Sequence, residues 1–282
     1  MRERVNLAEL AAEILNAADP AEKVALSRRA ASAWAGGDLS VGAPAAPTRP
    51  ARLPEPSLRP PRDMKRRRSF GSPNGRVALL HALAHIELNA IDLAWDIAAR
   101  FADPRLPRAF FTDWVGVAAE EAEHYALLAA RLQTLGARYG ELPAHDGLWE
   151  AAAATGHELI ARLAVVPLVL EARGLDVTPD MIGRLERAGD HDSAAILTRI
   201  YTDEIRHVAV GARWFAYCCD AARLDPEPTY HDRVRRYFSG LLKPPFNRVA
   251  RDRAGFPARF YEPLAYPLAY PEHRACALAG AV

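Results

Sequence analysis

Two copies of one spacing constrain this chain more than any other feature: Glu87 followed by Glu121-Ala122-Glu123-His124, and Glu171 followed by Glu204-Ile205-Arg206-His207. The lone glutamate precedes the E-x-x-H glutamate by 34 residues in the first copy and by 33 in the second. On a helix, a Glu and a His three residues apart share one face, so each group can hold one metal ion while a lone glutamate completes its site. A chain that brings both copies together needs four helices facing a common interior. An all-α fold is therefore the expectation.

The apolar periodicity predicts four long helices, over residues 74–100, 108–137, 148–173 and 190–222. Each candidate ligand falls inside an apolar stripe. Leu83, Glu87, Ala90, Ile91 and Ala94 form one; Trp114, Val117, Glu121, His124 and Leu128 a second. Ile160, Ala164, Pro167 and Glu171 form the third, and Leu197, Ile200, Glu204, His207, Gly211 and Trp214 the fourth. A carboxylate placed among core residues needs a compensating cation, so these six side chains read as ligands rather than as a solvated face. Pro167, four residues before Glu171, is expected to kink its helix, and Gly174 to Pro179 to end it ahead of a short helix near Met181 to Arg187.

Around this core the chain divides into residues 1–35, an N-terminal helical hairpin broken at Asp19-Pro20; 36–73, a Pro-rich connector; 74–225, the bundle; and 226–282, a C-terminal helix and extension. Leu53 and Leu58 are the expected anchors if the connector wraps the domain. The C-terminal helix is expected from Tyr230 to Leu242, followed by an irregular tail rich in Pro and aromatics. No alternation long enough for a sheet is present.

A formal net charge of +1 excludes a global bias towards nucleic acid or anionic membrane. The one basic run, Lys65-Arg66-Arg67-Arg68, reads as a solvated segment beside the connector rather than an RNA contact. The first fifteen residues lack the apolar core of a signal peptide, and the aliphatic stretch from Leu163 to Leu170 is too short to span a bilayer. Three cysteines, with Cys218 and Cys219 adjacent, make neither a disulfide framework nor a zinc site. A reduced cytoplasm is the expected compartment.

Asp203-Glu204-Ile205-Arg206-His207 resembles the D-E-x-R-H motif of bacterial di-iron monooxygenases, and the region from Gly75 to Cys219 resembles ferritin-like di-iron carboxylate proteins. More closely, the run from His81-Ala-Leu-Ala-His85-Ile-Glu87 to Leu241-Leu-Lys-Pro-Pro-Phe246 resembles a bacterial ferritin-like family defined by a domain of unknown function. The resemblance implies a ferritin-like four-helix bundle holding two metal ions, Fe/Fe or Mn/Fe. Glu87, Glu121 and His124 would belong to one ion and Glu171, Glu204 and His207 to the other, with Glu121 and Glu204 bridging. Asp203 would orient His124 and Glu120 would orient His207, although Glu120 stands where the pattern has Asp.

The activity so implied is O₂-dependent oxidation or oxygenation of a small organic substrate, served by an electron-donor reductase. Hydroxylation of a tRNA base and iron oxidation or sequestration are the alternatives. The Pro-rich extensions suggest a monomer or dimer rather than a cage. Tyr125 and Tyr201 lie near enough in sequence to the ligands for a redox role, with ordinary packing the competing expectation. His81, His85, His145 and His157 are expected to be structural.

Overall fold

The computed structural model describes residues 5–37, 39–60, 63–64 and 71–266, so the basic run at residues 65–68 lies outside the described residues. All regular structure within them is helical, apart from an isolated parallel bridge between Leu58 and Ala144. The N-terminal hairpin comprises α1 (Leu7–Asn16) and α2 (Pro20–Ala35). Asn6 and Glu9 cap α1 reciprocally, and Asp19 accepts from the Glu22 amide to start α2 behind Pro20. The hairpin lies on α3 (Pro73–Arg100) and α4 (Arg108–Thr134), which pack along each other's length.

Helix α3 is long and apolar enough to cross a bilayer, a point the aliphatic stretch from Leu163 to Leu170 does not reveal. Most of it is buried within the fold, however, and its Asp92 and Asp96 are fully buried. Both carboxylates are paired. Asp92 receives Lys23 of α2 at 2.5 Å and Arg52 of the connector. Asp96 receives Arg162 at 2.5 Å and Arg100 at 2.6 Å.

The connector wraps the domain through its backbone rather than through the expected leucines. The amides of Leu7 and Ala8 bond to Ser40 and Val41 carbonyls, Ala45 N–H to Ala99, Ala51 N–H to Leu15 and Arg59 N–H to Ala144. Leu53 and Leu58 stay nearly half exposed.

The third predicted helix is broken. α5 (Gly147–Ala154) is separate, stopped at Thr155-Gly156-His157, where buried Arg162 bonds Thr155 Oγ1 and the Ala152 carbonyl. The chain then runs as α6 (Leu159–Val165), a π-helical turn (Val166–Glu171) and α7 (Ala172–Arg187). The kink expected at Pro167 takes the form of a π turn, through which the helix continues. Nor does the helix stop between Gly174 and Pro179, because Pro179 sits inside α7. The proline leaves the Leu175 carbonyl without its helical donor, and Asn247 Nδ2 supplies one at 3.1 Å. α7 packs against α8 (His191–Ala221), whose N-terminus is capped by Asp190.

The C-terminal part is more regular than the sequence suggests. It forms α9 (Pro226–Tyr237), four residues earlier at its start than expected, then short helices α10 (Arg248–Arg253) and α11 (Ala258–Tyr261) and a 3₁₀ turn at Glu262–Leu264. Tyr230, Phe256, Phe260 and Tyr261 pack edge to face or tilted, around Arg251, which is ion-paired to Asp176 at 2.7 Å. This segment braces the π turn. Tyr230 donates to the Leu168 carbonyl at 3.2 Å and Arg251 to that of Ala172 at 3.1 Å.

A buried carboxylate and histidine cluster

Four elements supply one cluster: Glu87 from α3, Glu121 and His124 from α4, Glu171 from the end of the π turn, and Glu204 and His207 from α8. Glu121, His124 and His207 are fully buried, and Glu87 and Glu204 are less than a tenth exposed. Ligand atoms of Glu87, Glu121, His124 and Glu204 all lie within 4.8 Å of one another. Glu171, partly exposed, lines the same cavity as Glu87 and Glu204, and the charges of Glu204 and Glu121 act on it.

Glu121 stands between the two imidazoles. His124 Nδ1 lies 3.3 Å from Glu121 Oε2 and 3.3 Å from Glu87 Oε2. On the other side His207 Nδ1 lies 2.9 Å from Glu121 Oε1 and 3.7 Å from Glu204 Oε1. The rings are 5.8 Å apart between centroids. Each imidazole turns its Nε2 outward to a carboxylate of the opposite copy: His124 to Asp203 at 3.1 Å, and His207 to Glu120 at 2.8 Å. Arg206 also pairs with Glu120, and Arg199 lies 3.8 Å from Asp203. Both Nδ1 atoms are thereby aimed inward.

The cluster is electrostatically loaded. Burial, then the facing Glu121 charge, pushes the Glu87 carboxyl well above the usual range. Burial, then Glu204 and Glu121, does the same to Glu171, and burial followed by Glu121 raises Glu204. Burial opposes ionisation of Glu121 too, but the His207 charge and the contacts with both imidazoles hold it below the usual range. Burial disfavours charge on His124, yet the facing Glu121 and Glu87 carboxylates push it up to about 11. His207 is likewise raised well above its ordinary value, chiefly by Glu121 against the burial penalty. Burial and mutual repulsion thus work against ionising Glu87, Glu171 and Glu204, while the two imidazoles favour the charged form of Glu121.

That compensation is incomplete in geometry. Glu87 Oε2, Glu121 Oε1, Glu171 Oε2, Glu204 Oε2 and His207 Nδ1 are all buried without a hydrogen bond. The 2.9 Å approach of His207 Nδ1 to Glu121 is short enough for one, but the ring is not aligned to donate. Such orphaned atoms are costly in a core unless something binds them.

The remaining candidates have partners of their own. Tyr125 packs edge-on against Tyr139 at 5.5 Å between centroids, and burial raises its phenol above the ordinary value. The Tyr201 hydroxyl accepts from Asn247 Nδ2 at 2.9 Å. His81 Nε2 accepts the Gly140 and Leu142 amides, while His85 bridges Tyr139 and the His145 carbonyl, tying α3 to the loop after α4. His157 meets Tyr237.

Two features of the site escape the spacing argument. Gly211, one turn beyond His207, lets α8 approach the π turn so closely that a Cβ there would meet Pro167 Cβ at 2.4 Å. The other is a cavity of about 180 Å³ walled by apolar side chains and bordered by Glu87, Glu171 and Glu204. Apolar residues at helical period signal a core, and only the packing distinguishes a filled interior from one with space.

Fold and site define an all-helical protein with a buried Glu/His cluster able to hold metal. The chain belongs to the family described as "Protein of unknown function (DUF455)", which matches residues 16–262. It is 42% identical over 212 residues to a protein of Haemophilus influenzae described as uncharacterized, covering 73% of each chain. No solved structure matches.

Proposed function

We propose that the protein is a ferritin-like dinuclear metal protein that uses the Glu/His cluster to oxidise or oxygenate a small organic molecule with O₂. The observation that carries this reading is the convergence of five orphaned polar atoms on one buried cluster. Cations would answer all five at once, where hydrogen bonding within the protein does not.

The donor set suits two ions. Glu87 and His124 would serve one, and Glu171, Glu204 and His207 the other, with Glu121 between the imidazoles, giving each ion one imidazole and several carboxylate oxygens. Such oxygen-rich ligation suits iron and manganese rather than zinc or copper. In the filled site each Nδ1 would serve the metal while Asp203 and Glu120 accept the Nε2 protons, fixing ring orientation. Reduced ions of this kind supply electrons to O₂, and resupply calls for an electron donor. The chain's own contribution is to hold the ligands, exclude water and leave an apolar space beside Glu87, Glu171 and Glu204. That space favours an organic substrate over iron storage, which has no need of one.

Elemental mass spectrometry of protein purified without added metal, with the chain quantified by amino-acid analysis, tests the reading. About two ions per chain, as Fe/Fe or Mn/Fe, are expected. A protein that contains no metal and cannot be reconstituted with either ion refutes it.

A further inference from the structure

The cavity beside the cluster has a size and polarity that describe its occupant. At about 180 Å³ it is somewhat larger than an engineered cavity of about 150 Å³ known to admit benzene. Its walls include Leu83, Ala90, Leu93, Met181, Leu197 and Ile200, which offer no hydrogen bonds. Water gains little in such a space, so an apolar ligand displaces it readily.

Besides the Thr178 hydroxyl, the polar side chains of the lining are all charged. The carboxylates of Glu87, Glu171 and Glu204 border the space, and Arg173 is the one cationic residue in its lining. Arg173 opens α7 two residues after Glu171, and its side chain is 39% exposed. The hydrogen bonds described for its guanidinium all leave from Nη1, to the Lys243 and Pro245 carbonyls and to Asp176 at 3.4 Å. Arg173 pairs with Asp176 at 3.4 Å but shares it with Arg251, which lies closer at 2.7 Å, so one carboxylate faces two guanidinium groups. A guanidinium so placed recognises an anion, and the glutamates repel one.

We propose that the cavity binds a small apolar carboxylate of about the size of a substituted benzoate, its carboxylate on Arg173 and its apolar end towards Glu87, Glu171 and Glu204. The inference that this molecule is the substrate rests on the dinuclear reading above. Binding itself requires only the cavity and Arg173.

Gly174 provides the test. It lines the cavity, has no positive φ, and a Cβ built on it meets nothing within 4 Å, so Gly174→Leu is expected to occupy part of the space and to favour the helix. Titration calorimetry with 4-methylbenzoate and with its neutral isostere 4-methylbenzamide should give saturable binding of the acid, about tenfold tighter than the amide. Arg173→Gln should bring the two within about twofold, and Gly174→Leu should weaken the acid by about tenfold or more. Comparing acid with amide inside each variant removes any general effect of the substitution on stability.

Absence of saturable binding, equal binding of acid and amide, or an unaltered Gly174→Leu protein overturns the proposal. Metal content measured on the same samples separates the two claims. Ligand binding by a protein that never holds metal defeats the dinuclear function and leaves the cavity assignment standing. Full metal occupancy without ligand binding does the reverse.

Discussion

Asp203 Oδ2 lies 3.1 Å from His124 Nε2, joining residues 79 apart in sequence and belonging to opposite copies of the repeated spacing. The reciprocal contact, Glu120 to His207, is 2.8 Å long. Each copy therefore holds the other's imidazole by an outward hydrogen bond while the inward nitrogen faces Glu121. Asp203→Asn keeps an acceptor but removes its charge, so the protein should still load metal at saturation while its affinity falls about 10- to 100-fold. Competition against a chromophoric chelator measures this, and an unchanged affinity removes Asp203 from any role in metal binding.

Much of this arrangement is legible from period alone. Glu87, Glu121, Glu204 and His207 sit in apolar stripes, and burial of the stripes carries them inward. What periodicity does not encode is how helices tolerate interruption. Gly156 and the lone Arg162 mark the break after α5, but Arg162 becomes a reason to break only once Asp96 is beside it at 2.5 Å. Pro179 reads as a stop until Asn247 is known to satisfy the Leu175 carbonyl. The π turn likewise needs Tyr230 on the Leu168 carbonyl, a partner 62 residues away. In each case a distant side chain answers a local defect, which a local pattern cannot reveal.

Gly211→Ala should disturb the cluster without touching a ligand. The new methyl would lie 2.4 Å from Pro167 Cβ and 2.7 Å from its Cγ, and neither the ring nor the packed α8 backbone can rotate away. Either α8 recedes or the π turn carrying Glu171 moves. A cost of about 1–3 kcal/mol is expected, seen as a lower thermal midpoint. Metal content per folded chain should fall with it. A variant as stable and as metal-rich as the parent would show that the close approach has no consequence.

Glu171→Gln should separate stability from metal binding. Burial and the charges of Glu204 and Glu121 make the Glu171 carboxylate unfavourable in the metal-free protein, and its Oε2 has no hydrogen bond. A neutral amide of the same shape removes the cost of burying an ionisable carboxyl there, so the metal-free variant should melt above the metal-free parent. Added Fe(II) or Mn(II) should then raise its midpoint less than it raises the parent's, because a ligand is missing. A metal-induced rise equal to the parent's would take Glu171 out of the ligand set.

Asp92→Ala should loosen the N-terminal hairpin while leaving the cluster in place. Asp92 is fully buried on α3 and receives both Lys23 of α2, at 2.5 Å, and Arg52 of the connector. Its removal leaves the Lys23 ammonium buried with only the Ile14 carbonyl as acceptor, at 3.0 Å. Stranding a buried charge in this way typically costs about 3–5 kcal/mol. Part of that cost can be avoided if the hairpin and connector detach locally, since α1 and α2 contact the rest mainly along α3 and α4. The expected signature is rapid proteolysis confined to the first sixty residues, at protease levels that spare the parent. Asp92→Leu with Lys23→Met replaces the pair by apolar groups and should recover most of the loss. If Asp92→Ala is cleaved no faster than the parent, the ion pair does not hold the hairpin, and apolar packing of Leu7, Ile14 and Val24 suffices to keep it docked.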